Sequence, residues 1–298
     1  VGFGLTGCGG SGGDVKNASE PVPASQAFGQ AGVWMVYDGD ERIGKDVAIE
    51  SVLSFDGNGN VTSYQCGNLT FGDLNGLSDE EVIELAKQQD EAAFDAAKQS
   101  ATDATSEAIE IWQNDYDTLK SELDSGTYAS MLGDRPASDM STDEVASAQE
   151  MYGYVLSDLE SNLNNANDGQ SSNESAEYQE PEAVPFTLHV ETDGSGNSAQ
   201  SETLSFETEA YAFYTTSADG DDDLANLISF GPSSVAQEPG EVYKTSEETI
   251  ELWSSSYSTT ETVYDTTFGG YSGLATVVSE GHAGFTWDTP DTEGIEVD

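Results

Sequence analysis

The chain has 298 residues, enough to bury one large core or two ordinary ones. It carries 57 acidic against 8 basic residues, a formal net charge of −49. That balance excludes nucleic acid as an electrostatic partner, because phosphate binding needs Lys and Arg clusters; an anionic membrane surface would repel it too, so membrane contact has to come from a lipid. Acidity of this size suits a high-salt organism or the outside of an ordinary cell, and six lysines against two arginines favour the second.

At the N-terminus stands Leu5-Thr6-Gly7-Cys8, followed by the flexible run Gly9-Gly10-Ser11-Gly12-Gly13. An apolar residue, a small one, glycine and then cysteine resembles the lipobox of bacterial and some archaeal lipoproteins. In that family a diacylglyceryl group is joined to the cysteine sulfur and the chain is cut just before it. The resemblance implies lipid attachment at Cys8, an extracytoplasmic location and a membrane anchor. A signal segment also needs a basic region and an apolar stretch of about 7–15 residues. Only Val1 to Leu5 precede the match, so the chain reads as truncated at its start. Residues 1–31 are expected to be lipobox and flexible tether. With Cys8 lipidated, Cys66 is a lone thiol on a strand, and no disulfide framework or zinc pattern exists. No later apolar run approaches the roughly 18 residues that span a bilayer.

The first strand signal is Gly32 to Tyr37. It is followed by Val47 to Phe55, where Val47, Ile49, Leu53 and Phe55 share one face at period two. Asp56-Gly57-Asn58-Gly59-Asn60 turns the chain into Val61–Gln65 and Leu69–Phe71. At Ser78 the period changes. Ser78-Asp79-Glu80-Glu81 is a capping box, and apolar residues recur at helical spacing from Val82 to Leu123, ending at Asp124-Ser125-Gly126. A second capping box, Ser141 to Glu144, opens another helix through Val145, Tyr152, Val155 and Leu159. The two make an antiparallel hairpin over 78–165 with an alanine-rich seam. It should depend on Trp112, Tyr116, Leu119 and Leu123 meeting Val145, Tyr152, Val155 and Leu159 near the bend, or on docking against the β domain.

Residues 166–183 are almost free of aliphatics and read as a disordered linker. Strand patterns then resume: Phe186 to Val190, Leu204–Phe206, Tyr211–Phe213, Leu227–Phe230, Thr249–Trp253, Thr262–Phe268, Leu274–Val278 and Phe285–Trp287. The expected fold is α+β: an antiparallel β barrel or sandwich, built from residues 32–77 and 184–298, with an inserted α-helical hairpin.

Gly32-Val33-Trp34 on a first strand resembles the G-x-W start of lipocalins. The resemblance implies a ligand-holding barrel closed by Trp34, which makes Trp34 a candidate ligand-binding residue for a small apolar ligand. The family's late arginine over that Trp has no counterpart, since Arg42 and Arg135 are the only arginines. Asp56-x-Asn58-x-Asn60 and Asp193 to Asn197 imitate calcium loops, but they lack the Gly and Glu of that pattern and read as turns. Asp219 to Asp223 reads as a solvated acidic loop. His189 and His282 stand near no nucleophile motif, and with 57 acids sequence proximity selects no catalytic pair. The sequence therefore points to a non-catalytic, lipid-anchored surface protein with no catalytic residue, metal or cofactor, whose partner is a membrane through Cys8. A small apolar ligand or a cell-envelope protein is the further candidate.

Overall fold

The computed structural model describes residues 15–133, 135–218, 224–232, 234–253 and 260–298. Leu5 to Cys8 and Asp219 to Asp223 lie outside them. The chain divides into two compact units: a β unit from residues up to 94, 178–210 and 245–298, and a helical unit from residues 95–177 and 211–244.

In the β unit a short strand β1 (Val22–Pro23) leads into helix α1 (Ala24–Phe28) and then β2 (Ala31–Val36), β3 (Ala48–Asp56) and β4 (Asn60–Thr70). The first of the long helices, α2 (Asp79–Ser125), begins here. Strands β5 (Val184–Thr192) and β6 (Ala199–Tyr211) follow much later, then β7 (Tyr243–Glu251), β8 (Glu261–Val263), β9 (Thr266–Tyr271), β10 (Leu274–Val277), β11 (Phe285–Thr286) and β12 (Glu296–Val297). The main sheet runs β7-β6-β5-β4-β3-β2-β10-β9-β8, with β12 added in parallel to β5. Among the described residues it does not close into a barrel; β7 and β8 are its ends, and one isolated bridge joins Trp253 to Ser272. The protein is thus mixed α and β, with a large antiparallel sheet and a long helical region.

Period two explains why the middle of this sheet is buried on both faces. Along β2, Trp34 enters one core while Val33 and Met35 enter the other. The first core gathers Phe28, Trp34, Phe55, Leu204, Tyr271 and Phe285. The second holds Ile49, Phe71, Leu74 and Phe268, and is covered by Val82 and Ala86 from the first turns of α2. The Ser78 capping box forms as read: Ser78 N donates to Glu81 Oε2 at 2.9 Å and Glu81 N to Ser78 Oγ at 3.3 Å.

The expected tether is shorter than the sequence suggested. Val15, Val22, Ala24, Ala27 and Phe28 are all buried in the first core. Their apolar residues are spaced too irregularly, among Pro, Ser and Gly, to show any period, so composition alone reads as linker.

In the helical unit α2 continues to Ser125, a short α3 (Ala129–Leu132) turns the chain, and α4 (Thr142–Ser175) returns. Ser141 and Glu144 cap α4 reciprocally, at 2.7 and 3.3 Å. Trp112, Leu119, Tyr152, Val155 and Leu159 share one core with Tyr116, Leu123 and Val145 at its margin, the packing the periodicity required. Three expectations differ. Tyr211–Phe213 is not a strand of its own, since β6 ends at Tyr211. Helix α4 runs ten residues beyond 165, where the sequence reads as disordered linker. Leu227–Phe230, expected as a strand, is helix α5 (Leu224–Phe230), with Leu227 and Ile228 both buried. Adjacent buried residues fit a helix stripe; a half-buried strand would alternate them.

The reason α4 persists is polar. Asn162, Ala166, Gly169 and Asn173 form a buried face at helical spacing. Asn162 Nδ2 donates to Ser234 O at 3.1 Å and its Oδ1 accepts from Ala236 N at 3.1 Å. Asn173 does the same for Tyr214, donating to its carbonyl at 2.8 Å and accepting from its N–H at 2.9 Å. Each asparagine stands in for a strand neighbour. Gly169 leaves room for the Tyr214 ring, where a Cβ would meet Cδ1 at 2.2 Å.

Candidate functional site

Buried in the β unit lies a carboxyl pair that no motif announces. Glu202 shares the inward face of β6 with Leu204 and Phe206, and Asp288 follows β11; both are buried. Asp288 N donates to Glu202 Oε2 at 2.9 Å, and the Asp288 carboxylate accepts from Ser25 N and Ser25 Oγ, each at 2.6 Å. Asp288 thereby caps α1 from outside, where Pro23 offers no side-chain cap. Glu202 Oε1 has no hydrogen-bond partner. Burial pushes the Glu202 pKa up to about 8; the Asp288 N–H works against this, and the Asp288 charge adds to it. Tyr271 is raised by the same burial and the same two acids, and its hydroxyl donates to Thr286 O at 3.0 Å. The pair has one chemical property of an acid catalyst, a proton held at neutral pH, but its atoms are enclosed by the first core. As built, it ties the N-terminal segment to β6 and to the segment after β11.

The residues singled out from the sequence are placed as follows. Trp34 is 2% exposed, with ring centroids of Phe28 and Phe285 at 4.9 Å and of Tyr271 at 6.2 Å, so protein fills the space a ligand would need beside it. His282 is buried, its Nδ1 accepting from Gly284 N at 2.9 Å and its Nε2 lying 2.8 Å from Val15 O. Those partners assign the proton to Nε2. His189 lies 3.2 Å from Asp298. Cys66 is on β4 as expected, half-buried; burial, with help from Asp90, raises its thiol to about 12. Asp56 forms the expected turn, its carboxylate accepting from Asn58 N at 2.7 Å and Asn60 Nδ2 at 2.8 Å. Among the described residues no three His, Cys, Asp or Glu side chains gather as a metal centre requires, and no helix is long and apolar enough to cross a membrane. Cys8 is outside the described residues.

A groove lies at the turn between β8 and β9. The two-residue turn Tyr264-Asp265 joins β8 to β9, with Val263 paired to Thr266. Tyr264 has φ 54°, a left-handed conformation that a two-residue hairpin normally gives to Gly or Asn. Asn75 holds it there: its Oδ1 accepts from Asp265 N at 3.1 Å and Thr266 Oγ1 at 3.2 Å. Thr266 Oγ1 in turn accepts from Gly76 N at 3.1 Å. Beside this turn opens a groove of about 620 Å³, walled by Thr262, Tyr264, Asp265, Thr267, Ser279 and Glu280. Tyr264 is 62% exposed.

Sequence reasoning missed both features. Glu202 was detectable as an acid in phase with Leu204 and Phe206 on a half-buried strand. Tyr264-Asp265 gives no turn signal, so residues 262–268 read as one strand.

No family model, curated protein or solved structure matches the chain.

Proposed function

We propose that this protein is held to a membrane on the extracytoplasmic side by a lipid on Cys8, and that its β unit has a non-catalytic binding role. The observation that carries the reading is the burial of Val15 in the first core. Val15, already in the first core, stands seven positions after Cys8. Seven residues reach at most about 25 Å when fully extended. A lipid there would keep the β unit close to the membrane. A net charge of −49 gives such a protein no attraction to an anionic surface, so two acyl chains would have to supply the hold.

The binding role is supported by an open polar groove, and its non-catalytic character by enclosure of the perturbed carboxyl pair. The first core joins side chains of β2, β3 and β4 to those of β5 and β6, which supports a sheet folded over itself as a filled sandwich. The filled surroundings of Trp34 weigh against a carrier of apolar ligands.

Radiolabelled palmitate supplied to cells making the full-length protein tests the anchor. Label should enter the native chain and be absent from Cys8→Ala, which should also leave the membrane fraction. An unlabelled native chain overturns the reading.

A further inference from the structure

We propose that the groove beside Tyr264 is a binding site for neutral saccharides. The proposal deepens the binding role above and rests on it. Three observations converge on the ligand class. The first is the lining: Thr262, Thr267 and Ser279 offer hydroxyls, Asp265 and Glu280 offer acceptors, Leu77 and Val277 add apolar wall, and among the described residues no Lys, Arg or His lines the groove. An anionic ligand would meet only repulsion there. Lys45, which lies near Tyr264, is itself paired with Asp46 at 2.6 Å. An apolar ligand would strand the hydroxyls and carboxylates without water.

The second observation is the ring. Tyr264 stands 62% exposed at the edge of the groove, the most exposed hydrophobic side chain of a wall that also includes the partly buried Leu77 and Val277. An aromatic face carries partial negative charge and its edge positive. A pyranose ring presents C–H bonds, partially positive, on one face and hydroxyls around its rim. That combination matches a tyrosine face flanked by hydroxyls and carboxylates.

The third is the backbone. A tyrosine at φ 54° costs stability that glycine would not, and Asn75 is spent on holding it. The ring is 62% exposed and belongs to neither core as described, so the packing of the cores does not require it. The volume, about 620 Å³, is within the range of small-molecule sites and leaves room for an oligosaccharide.

Calorimetric titration of the full chain in detergent tests this, with cellohexaose, mannohexaose, laminarihexaose and chitohexaose as neutral probes. Hexagalacturonate and hexalysine serve as the anionic and cationic ones. At least one neutral hexaose should bind with Kd of about 1 mM or tighter, and hexagalacturonate should not bind. Tyr264→Gly should weaken that binding at least tenfold while the melting temperature stays level or rises, because glycine accepts the turn without strain. Tyr264→Phe, which keeps the ring face, should bind within about threefold of the native chain, the loss of a single exposed hydroxyl being a small term. No binding by any neutral hexaose overturns the proposal. So does binding that survives Tyr264→Gly, or a Tyr264-dependent preference for hexalysine. The same titration on Cys8→Ala should be unchanged, so failure of the anchor and failure of the saccharide site are read separately.

Discussion

The two units are held together by different means, and the difference decides what a sequence reveals. The β unit stands on an aromatic core: Phe28 lies 4.9 Å from both Trp34 and Phe55, and Trp34 4.9 Å from Phe285. The helical unit packs Trp112, Leu119, Tyr152 and Leu159 in a core that also takes Leu227 and Ile228. Along the rest of α4 it is asparagine side chains that grip passing backbone, at Ser234, Ala236 and Tyr214. Apolar burial is non-directional and proportional to area. Side-chain amides bonded to backbone fix one register, and they contribute mainly because their partners would be costly to leave bare.

The largest expected effect breaks the aromatic side of this contrast. Phe28→Ala should destabilise the β unit by about 3–5 kcal/mol, measured by urea unfolding. A loss near zero would mean that residues 15–28 are a tether after all. Next is Asn173→Ala, which leaves the Tyr214 N–H and carbonyl without their amide partner and should cost about 3 kcal/mol. The loss should be confined to the helical unit, read as faster hydrogen exchange at 166–175 and 211–216.

A third change sharpens the comparison through pH. Glu202 keeps its proton in the folded state up to about 8, whereas an unfolded glutamate releases it near 4.3. The folded state therefore binds more protons across that window, and stability falls as pH rises through it. Glu202→Gln should flatten this fall between pH 5 and pH 8.5 in chemical unfolding curves of the β unit. A slope as steep as the native one would show that another group sets it. The helical unit responds at the acid end. Burial raises Glu122, but bonds from Tyr152 and Ser130 outweigh it and hold its pKa below the ordinary value. That contribution is present at neutral pH and is lost as pH falls through the folded pKa.

The smallest effect should be alike in both units. Ser78→Ala and Ser141→Ala each remove one half of a capping box and should cost about 1 kcal/mol, measurable by thermal unfolding. Unequal losses would show that one helix start is held mainly by its surroundings.

What could be read in the sequence follows the same line. Helices with capping boxes and a three-four rhythm were legible because burial writes its period into composition, and so was a strand at Val47 to Phe55. Its single apolar face was not, because a register shift between Ile49 and Ser51 puts Val47 and Ile49 in the second core and Leu53 and Phe55 in the first. The α4 extension was not, because Asn162, Ala166, Gly169 and Asn173 carry the helical period in residues that a hydrophobic count ignores. Residues 15–28 were not, because a non-periodic segment joins the core through isolated side chains. For the site, Glu202 stood visibly in phase with Leu204 and Phe206, but its partner Asp288, distant in sequence, did not announce itself. A tyrosine in a glycine's conformation does not follow from local propensity, because its support, Asn75, comes from a distant segment.

Ligand recognition belongs to the β unit alone if the Tyr264 groove is the binding site. Hydrogen exchange followed by mass spectrometry, with and without the tightest neutral hexaose, tests that claim most directly. Protection is predicted at 75–77, 262–267 and 277–280, with no change across 95–177. Unchanged exchange around Tyr264, or protection centred on the helical unit, would contradict it.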